Sequence, residues 1–340
     1  MLEQRHTTAT DRGQGIEQPL RPLTLAVTGG SGFVGGHLIP HLLERGHSLR
    51  LLIRNPGRMV LPRAQQGTGE LNVIQGDLGD PRSLRELCDG ADLVVHCAGL
   101  LAARHRSAFA TVNIEGTARL VDAAIVSGVR RMILLSSLAA REPALSDYAW
   151  SKRGGEEALA SAGSSLSWVV LRPPAVYGPG DRATLPLVEQ LARRHSMIPA
   201  CRTGRVSLIH VRDVVSAISH VIGNTAVDRE VCEIDDGKPG GYDWQELKRA
   251  TGQGNGRCIF LPRMVMAAAA AASMLWSRLS GKPPMLSPGK VAELYHPDWV
   301  CRTNRLSDLT GWHPQVPFTQ GFAETLDWYH QAGWLSAAPA

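Results

Sequence analysis

Tyr148 and Lys152 stand four positions apart in YAWSK, the pairing in this chain best suited to proton chemistry. On a helix that spacing puts both side chains on one face, so the ammonium can lie beside the phenol. A neighbouring positive charge lowers a tyrosine pKa and makes the phenol a usable general acid or base near neutral pH. Before Tyr148, the apolar run RMILLSS (131 to 137) ends in the serine pair Ser136-Ser137, and Asn113 lies upstream in TVNIEGT. A tyrosine–lysine pair alone is ordinary helix surface. Beside a strand-end serine pair and a ligand-binding turn it becomes a candidate site.

That turn lies in LTLAVTGGSGFVGG, residues 23 to 36. Leu23 to Val27 reads as a buried parallel strand, Gly29, Gly32 and Gly35 as a G-x-x-G-x-x-G turn, and Phe33 to Arg45 as a helix. Together they make an anion site. Backbone N–H groups and the helix dipole can hold a pyrophosphate, and larger side chains would block its approach. His47 to Arg54 reads as the second strand. A carboxylate at its end would select NAD by bonding the ribose hydroxyls, whereas an arginine can pair with a 2′-phosphate. This strand ends in Arg54-Asn55, with Arg58 close behind, which favours NADP(H) over NAD(H).

Leu71 to Gln75 reads as a third strand, with Asp77 beyond its end either accepting from an adenine amino group or forming a turn. Pro81 to Cys88 reads as a short helix, and Asp92 to Cys97 as a fourth strand running into Ala98-Gly99, where small residues let backbone approach a cofactor. A long helix over about 107 to 127 carries Asn113, and Leu166 to Arg172 follows as the sixth strand. The alternation predicts an α/β fold, a Rossmann doubly wound parallel sheet. Beyond the rigid turn Pro173 to Gly180 it breaks down. The expected organisation is a flexible tail over 1–22 and a dinucleotide-binding domain over 23–175. A smaller, mainly helical substrate-binding cap covers 176–340, with 205–235 returning to the sheet.

With 340 residues, 44% hydrophobic, the chain has ample material for a core. Its net charge of +5 is spread over scattered arginines, which suits a small anionic ligand and not nucleic acid. Six cysteines show no C-x-x-C and no metal spacing, so no metal is expected, and reduced thiols point to a cytoplasmic protein. Residues 1–22 contain no apolar secretory core. Met264 to Trp276 is short for a membrane span and is flanked by Arg263 and Arg278. It reads either as a docked cap helix or as an interfacial helix making peripheral membrane contact.

The motifs TGGSGFVG (28–35), GDL (76–78), HCAG (96–99), NIEGT (113–117), LLSS (134–137) and YAWSK (148–152) occur in that order. RPPAVYGPGD (172–181) and HVRDV (210–214) complete the set. The chain thereby resembles the extended short-chain dehydrogenase/reductase family, the NAD-dependent epimerase/dehydratase-like group, over about residues 24 to 215. The resemblance implies that Tyr148 is the acid/base, that Lys152 holds the nicotinamide ribose and tunes Tyr148, and that Ser137 binds the reacting oxygen. Ser137 is preferred to Ser136 because the family's serine ends the run. Asn113 would support a proton relay. Cofactor contacts are implied for Thr28, Gly29, Ser31, Gly32, Phe33, Val34, Gly35, Arg54, Asp77, Leu78, Cys97, Ala98, Gly99, Pro174 and Val176. A homodimer through the helices of Asn113 and Tyr148 is implied as well.

Three activities remain open within that family. One is an oxidoreductase acting on a ketone or secondary alcohol. The second is a sugar-nucleotide epimerase or dehydratase that retains its NAD. The third is a non-catalytic NADPH-binding subunit. Arg172-Pro173-Pro174-Ala175 stands where many epimerases carry R-x-F-N, and Leu138-Ala139-Ala140 stands where a dehydratase would carry an acidic pair. Both count against the second. The complete set of Asn113, Ser137, Tyr148 and Lys152 counts against the third, although the short interval from Ser137 to Tyr148 leaves little loop for gripping substrate. PMLSPGK (284–290), HPDWV (296–300) and the Trp-rich end from Gly311 resemble the 3-beta-hydroxysteroid dehydrogenase and dihydroflavonol reductase side. That likeness points to a small, lipophilic substrate.

Overall fold

Seven strands form one sheet: β1 (Thr24–Thr28), β2 (Ser48–Ile53), β3 (Leu71–Gln75), β4 (Leu93–His96), β5 (Arg131–Leu135), β6 (Ser167–Arg172) and β7 (Glu230–Glu233). Their order is β7-β6-β5-β4-β1-β2-β3, and every pair is parallel. The computed structural model describes residues 21–58, 69–252 and 256–335. The tail expected over 1–22 lies almost wholly outside them, as does the Arg58 side chain.

Continuous apolar runs form the central strands because both faces of the sheet are covered. Leu25, Val27, Val95, Ile133, Leu135, Val169 and Leu171 enter one core. Helices Phe33–Glu44 and Val211–Gly223 cover it through residues such as Leu38, Leu42, Val214 and Ile218. Their neighbours Ala26, Val94, Met132, Leu134, Trp168 and Val170 enter the other core, with Leu84, Leu120 and Leu159 from helices Pro81–Cys88, Gly116–Val126 and Asp147–Ala160. The strand order reverses direction between β1 and β4, so the C-terminal ends of these strands open a crevice.

The single helix expected over about 107 to 127 is three pieces. An α-helical turn, Arg106–Phe109, leads into a π-helical segment, Ala110–Glu115, and then helix Gly116–Val126. Side-chain periodicity does not separate such a wide turn from an α-helix. Packing does. The Asp147–Ala160 helix crosses here so closely that a Cβ at Gly155 would lie 2.5 Å from the Asn113 carbonyl oxygen.

Beyond β6 the chain makes helices Leu185–Ala192, Trp244–Ala250, Arg263–Ser280, Pro288–Leu294 and Phe318–Gln331, with short strand pairs between them. A third core of Tyr177, Leu191, Trp244, Phe318, Phe322 and Tyr329 holds this part together. Leu306 and Trp312 instead join the first sheet core. Asp213 accepts the backbone N–H groups of Gln315 and Val316 at 2.9 and 3.0 Å. The C-terminal segment therefore folds back onto the nucleotide-binding layer, and no single residue separates that layer from the cap.

Candidate active site

The glycine turn closes against the end of β4. Gly29 adopts a positive φ of 76°, and a Cβ there would meet Ala98 N at 2.5 Å. A Cβ at Gly35 would lie 2.2 Å from Gly29 O. Gly32 caps helix Phe33–Glu44 without any side-chain hydrogen bond. The helix N-terminus thus presents its first N–H groups, around Phe33 and Val34, uncapped at the crevice, as an anion requires. Thr28 is turned inward: its Oγ1 lies 2.6 Å from His96 Nδ1 and accepts Ala98 N–H at 3.3 Å. Ser31 is exposed on the turn, and Arg54 is exposed at the end of β2.

Asp77 is exposed, and its Oδ1 accepts the Gly79 N–H at 2.7 Å, so the carboxylate makes the turn that was one of its two expected roles. Leu78 is buried in the second core against Gly116. Cys97, Ala98 and Gly99 line the floor, where burial pushes the Cys97 thiol up to about 12. Pro174 and Val176 lie on the strand-like exit from β6, and Val176 pairs with Ile209.

The two serines at the end of β5 part company. Ser136 is buried and donates to Glu156 Oε1 at 2.5 Å, while Glu156 also pairs with Arg172, whose Nε lies 2.8 Å away. Ser137 faces the crevice. Its Oγ accepts the Ala139 N–H at 3.2 Å, and it acts to lower the Tyr148 pKa. Arg141 fixes the following turn by donating to the carbonyls of Val300 and Asp298 at 2.7 and 2.6 Å.

Tyr148 and Lys152 do share a face of helix Asp147–Ala160, but their electrostatics correct the sequence expectation. Burial pushes the Tyr148 phenol up to about 12; Ser137 lowers it and the Glu293 charge raises it. Lys152 does not depress it. The ammonium is directed to the Leu135 carbonyl at 2.8 Å, and burial lowers its own pKa to about 8. Desolvation outweighs the neighbouring charge here.

Asn113 lies in the π-helical segment with its side chain fully used. Its Oδ1 accepts Leu100 N–H at 2.7 Å, and its Nδ2 donates to Leu100 O at 3.0 Å and to Ser151 Oγ at 2.8 Å. It contacts neither Tyr148 nor Lys152 through these bonds. It converges with Lys152 at Gly99, where a Cβ would lie 3.5 Å from Asn113 Oδ1 and 3.6 Å from Lys152 Nζ. Sequence reasoning missed Ser151, Glu156, His96 and Glu293. Glu156 carried a signal, standing four residues after Lys152 on the same helix. Glu293 carried none, because it arrives from the cap.

The model of the NAD dependent epimerase/dehydratase family matches residues 25–234. A ceramide reductase of Caulobacter vibrioides is 39% identical over 315 residues, covering 92% of this chain and 96% of that protein. A 3 beta-hydroxysteroid dehydrogenase/Delta 5-->4-isomerase of Mycobacterium tuberculosis is 27% identical over 341 residues, covering 89% of each. Among solved structures, a UDP-glucose 4-epimerase of Thermotoga maritima shares the fold at a TM-score of 0.67 with 21% identity, covering 91% of this chain and 99% of that one. The match spans the whole sheet and its glycine turn, and one relative is matched nearly end to end. The chain is an enzyme of the extended short-chain dehydrogenase/reductase type and belongs to the NAD dependent epimerase/dehydratase family.

Proposed function

We propose that the chain is an NADP(H)-dependent reductase interconverting a lipophilic ketone and its secondary alcohol. The observation that carries this reading is the 2.8 Å bond from Lys152 to the Leu135 carbonyl, which holds the helix of Tyr148 against the end of β5 where Ser137 stands. The uncapped helix behind Gly32 and the side-chain-free turn at Gly29 and Gly35 fit a dinucleotide pyrophosphate, and Arg54 fits a 2′-phosphate. When bound, the nicotinamide supplies or accepts the hydride.

The remaining work falls to side chains. A phenol held near 12 stays protonated at neutral pH, so Tyr148 gives its proton to the oxygen that becomes the alcohol. Ser137 donates a hydrogen bond to that oxygen as its charge develops. Lys152, with a pKa near 8, is charged for most molecules at neutral pH and places a cation beside Gly99 on the cofactor side of Tyr148. Asn113 holds Leu100 and Ser151 and so positions the floor and the helix. The names of the relatives above, a ceramide reductase and a steroid dehydrogenase, support a lipophilic substrate.

The test titrates NADPH and NADH side by side into the purified protein and its Arg54→Asp variant, followed by a panel of long-chain and steroidal ketones. Tighter NADPH binding that the substitution abolishes, with ketone reduction lost in Tyr148→Phe, is the expected result. Tightly held, non-exchanging NAD that co-purifies with the protein would overturn it in favour of the epimerase activity.

A further inference from the structure

The helix Arg263–Ser280 is amphipathic in the wrong sense for a globular cap. Of its 18 residues only Ala270 and Ser277 are buried. Met264, Val265, Leu275, Trp276 and Leu279 are exposed, with Met264 at 84%, Trp276 at 68% and Leu279 at 75%. At 3.6 residues per turn these five share one face, and Ala270 and Ser277 lie on the opposite face. The helix therefore rests on the cap through Ala270, Ser277 and the half-buried Met266 and Met274, and turns these five large apolar residues outward. Met285, in the loop that follows, is 99% exposed.

The sequence on either side of this face carries charge of one sign. From Arg257 to Ala292 the sequence contains Arg257, Arg263, Arg278, Lys282 and Lys290 and no aspartate or glutamate. Lys290 bonds Glu293 Oε2 at 3.1 Å, and Arg257, Arg263, Arg278 and Lys282 are exposed. No helix among the described residues is long and apolar enough to cross a membrane.

We infer that this face is a docking surface for an anionic phospholipid bilayer, on which the helix lies in the plane of the headgroups. Large apolar side chains enter the acyl boundary while arginine and lysine meet the phosphates. A second copy of the chain fits less well, because a two-fold contact through this face would set its cations against each other. The surface is also tied to the candidate active site. Ser277 donates to Lys282 O at 2.6 Å, and Ser273 accepts Leu286 N–H at 3.1 Å, which fastens the loop to the helix. That loop leads into helix Pro288–Leu294, whose Glu293 bonds Ser146 beside Tyr148. The inference rests on the cap surface alone and stands whatever reaction Tyr148 performs.

The test is co-sedimentation of the full chain with phosphatidylcholine vesicles and with vesicles carrying about one-third phosphatidylglycerol. The expected result is binding to the anionic vesicles that high salt weakens. The variant L275S/W276S/L279S is expected to bind about tenfold less, since it removes the inserting side chains. These residues are exposed, so its thermal unfolding and NADPH binding should match the parent. The variant R263Q/R278Q/K282Q is expected to lose the preference for anionic lipid. Failure to bind either vesicle, or equal binding by parent and triple-serine variant, would overturn the inference. So would a parental dimer, silent toward vesicles, that the triple-serine variant turns into a monomer.

Discussion

Glu293, on the cap, accepts a hydrogen bond from Ser146, the residue that caps the helix carrying Tyr148. Ser146 Oγ in turn accepts the Ala149 N–H at 2.9 Å. Gly289 makes room for the contact, since a Cβ there would lie 2.8 Å from Ser146 Cβ. The cap and the helix carrying Tyr148 are thus joined within one turn of the phenol.

The two members of this pair separate structural from electrostatic effects. Ser146→Ala removes the helix cap and a donor to a buried carboxylate, and should cost about 1–2 kcal/mol. Glu293→Gln keeps an acceptor for Ser146 but removes the charge that raises the Tyr148 pKa. It should leave stability nearly unchanged and move the tyrosinate titration of Tyr148 downward. Urea unfolding and ultraviolet titration against Tyr148→Phe read the two effects.

Ser136 and Ser137 should respond in opposite ways. Ser137→Ala removes a hydrogen-bond donor to the developing alkoxide and should lower kcat about 10²–10³-fold with little loss of stability. Ser136→Ala deprives the buried Glu156 of a donor and should destabilise by about 1–3 kcal/mol while leaving kcat near the parent value. Equal kinetic losses in both would contradict the placement of Ser137.

Gly35 and Gly36 are neighbours in the sequence with contrasting surroundings. A Cβ at Gly35 would lie 2.2 Å from Gly29 O, so Gly35→Ala must displace the turn and should abolish dinucleotide binding. Nothing lies within 4 Å of a Cβ at Gly36, which is inside the helix, so Gly36→Ala should stabilise by about 0.4–1 kcal/mol. Isothermal titration and thermal unfolding of the two variants make the comparison.

These contrasts mark what was legible in the sequence. Strand positions came out well because apolar runs such as Arg131–Leu135 are buried in a parallel sheet and bounded by turns. The glycine turn was legible because backbone contact at Gly29 and Gly35 forbids side chains. The electrostatics were not. Helical spacing brought Lys152 near Tyr148, but whether its charge or burial governs the phenol depends on the cap and on the Leu135 carbonyl, both distant in sequence. The division of labour between Ser136 and Ser137 likewise needed the Arg172–Glu156 pair, which no local pattern announces.

Two buried histidines make the fold sensitive to acid. Burial lowers His96, held between Thr28 and Thr117, from 6.5 to about 3, and lowers His210 from 6.5 to about 4. Both remain neutral in the folded chain below pH 6.5, whereas the unfolded chain takes up their protons. Protons bind more to the unfolded state, so stability is complete above pH 6.5 and falls as the pH drops toward the folded pKa values. Each histidine contributes a slope of at most about 1.4 kcal/mol per pH unit. His210 also caps helix Val211–Gly223 by accepting the Arg212 N–H at 3.3 Å. Asparagine can make the same cap without titrating in this range. His210→Asn should therefore keep the cap, lower stability at every pH by the packing its buried ring provides, and reduce the further loss between pH 6.5 and 4, as measured by urea unfolding across that range. An unchanged pH slope in the variant would show that His210 takes up its proton in the folded chain.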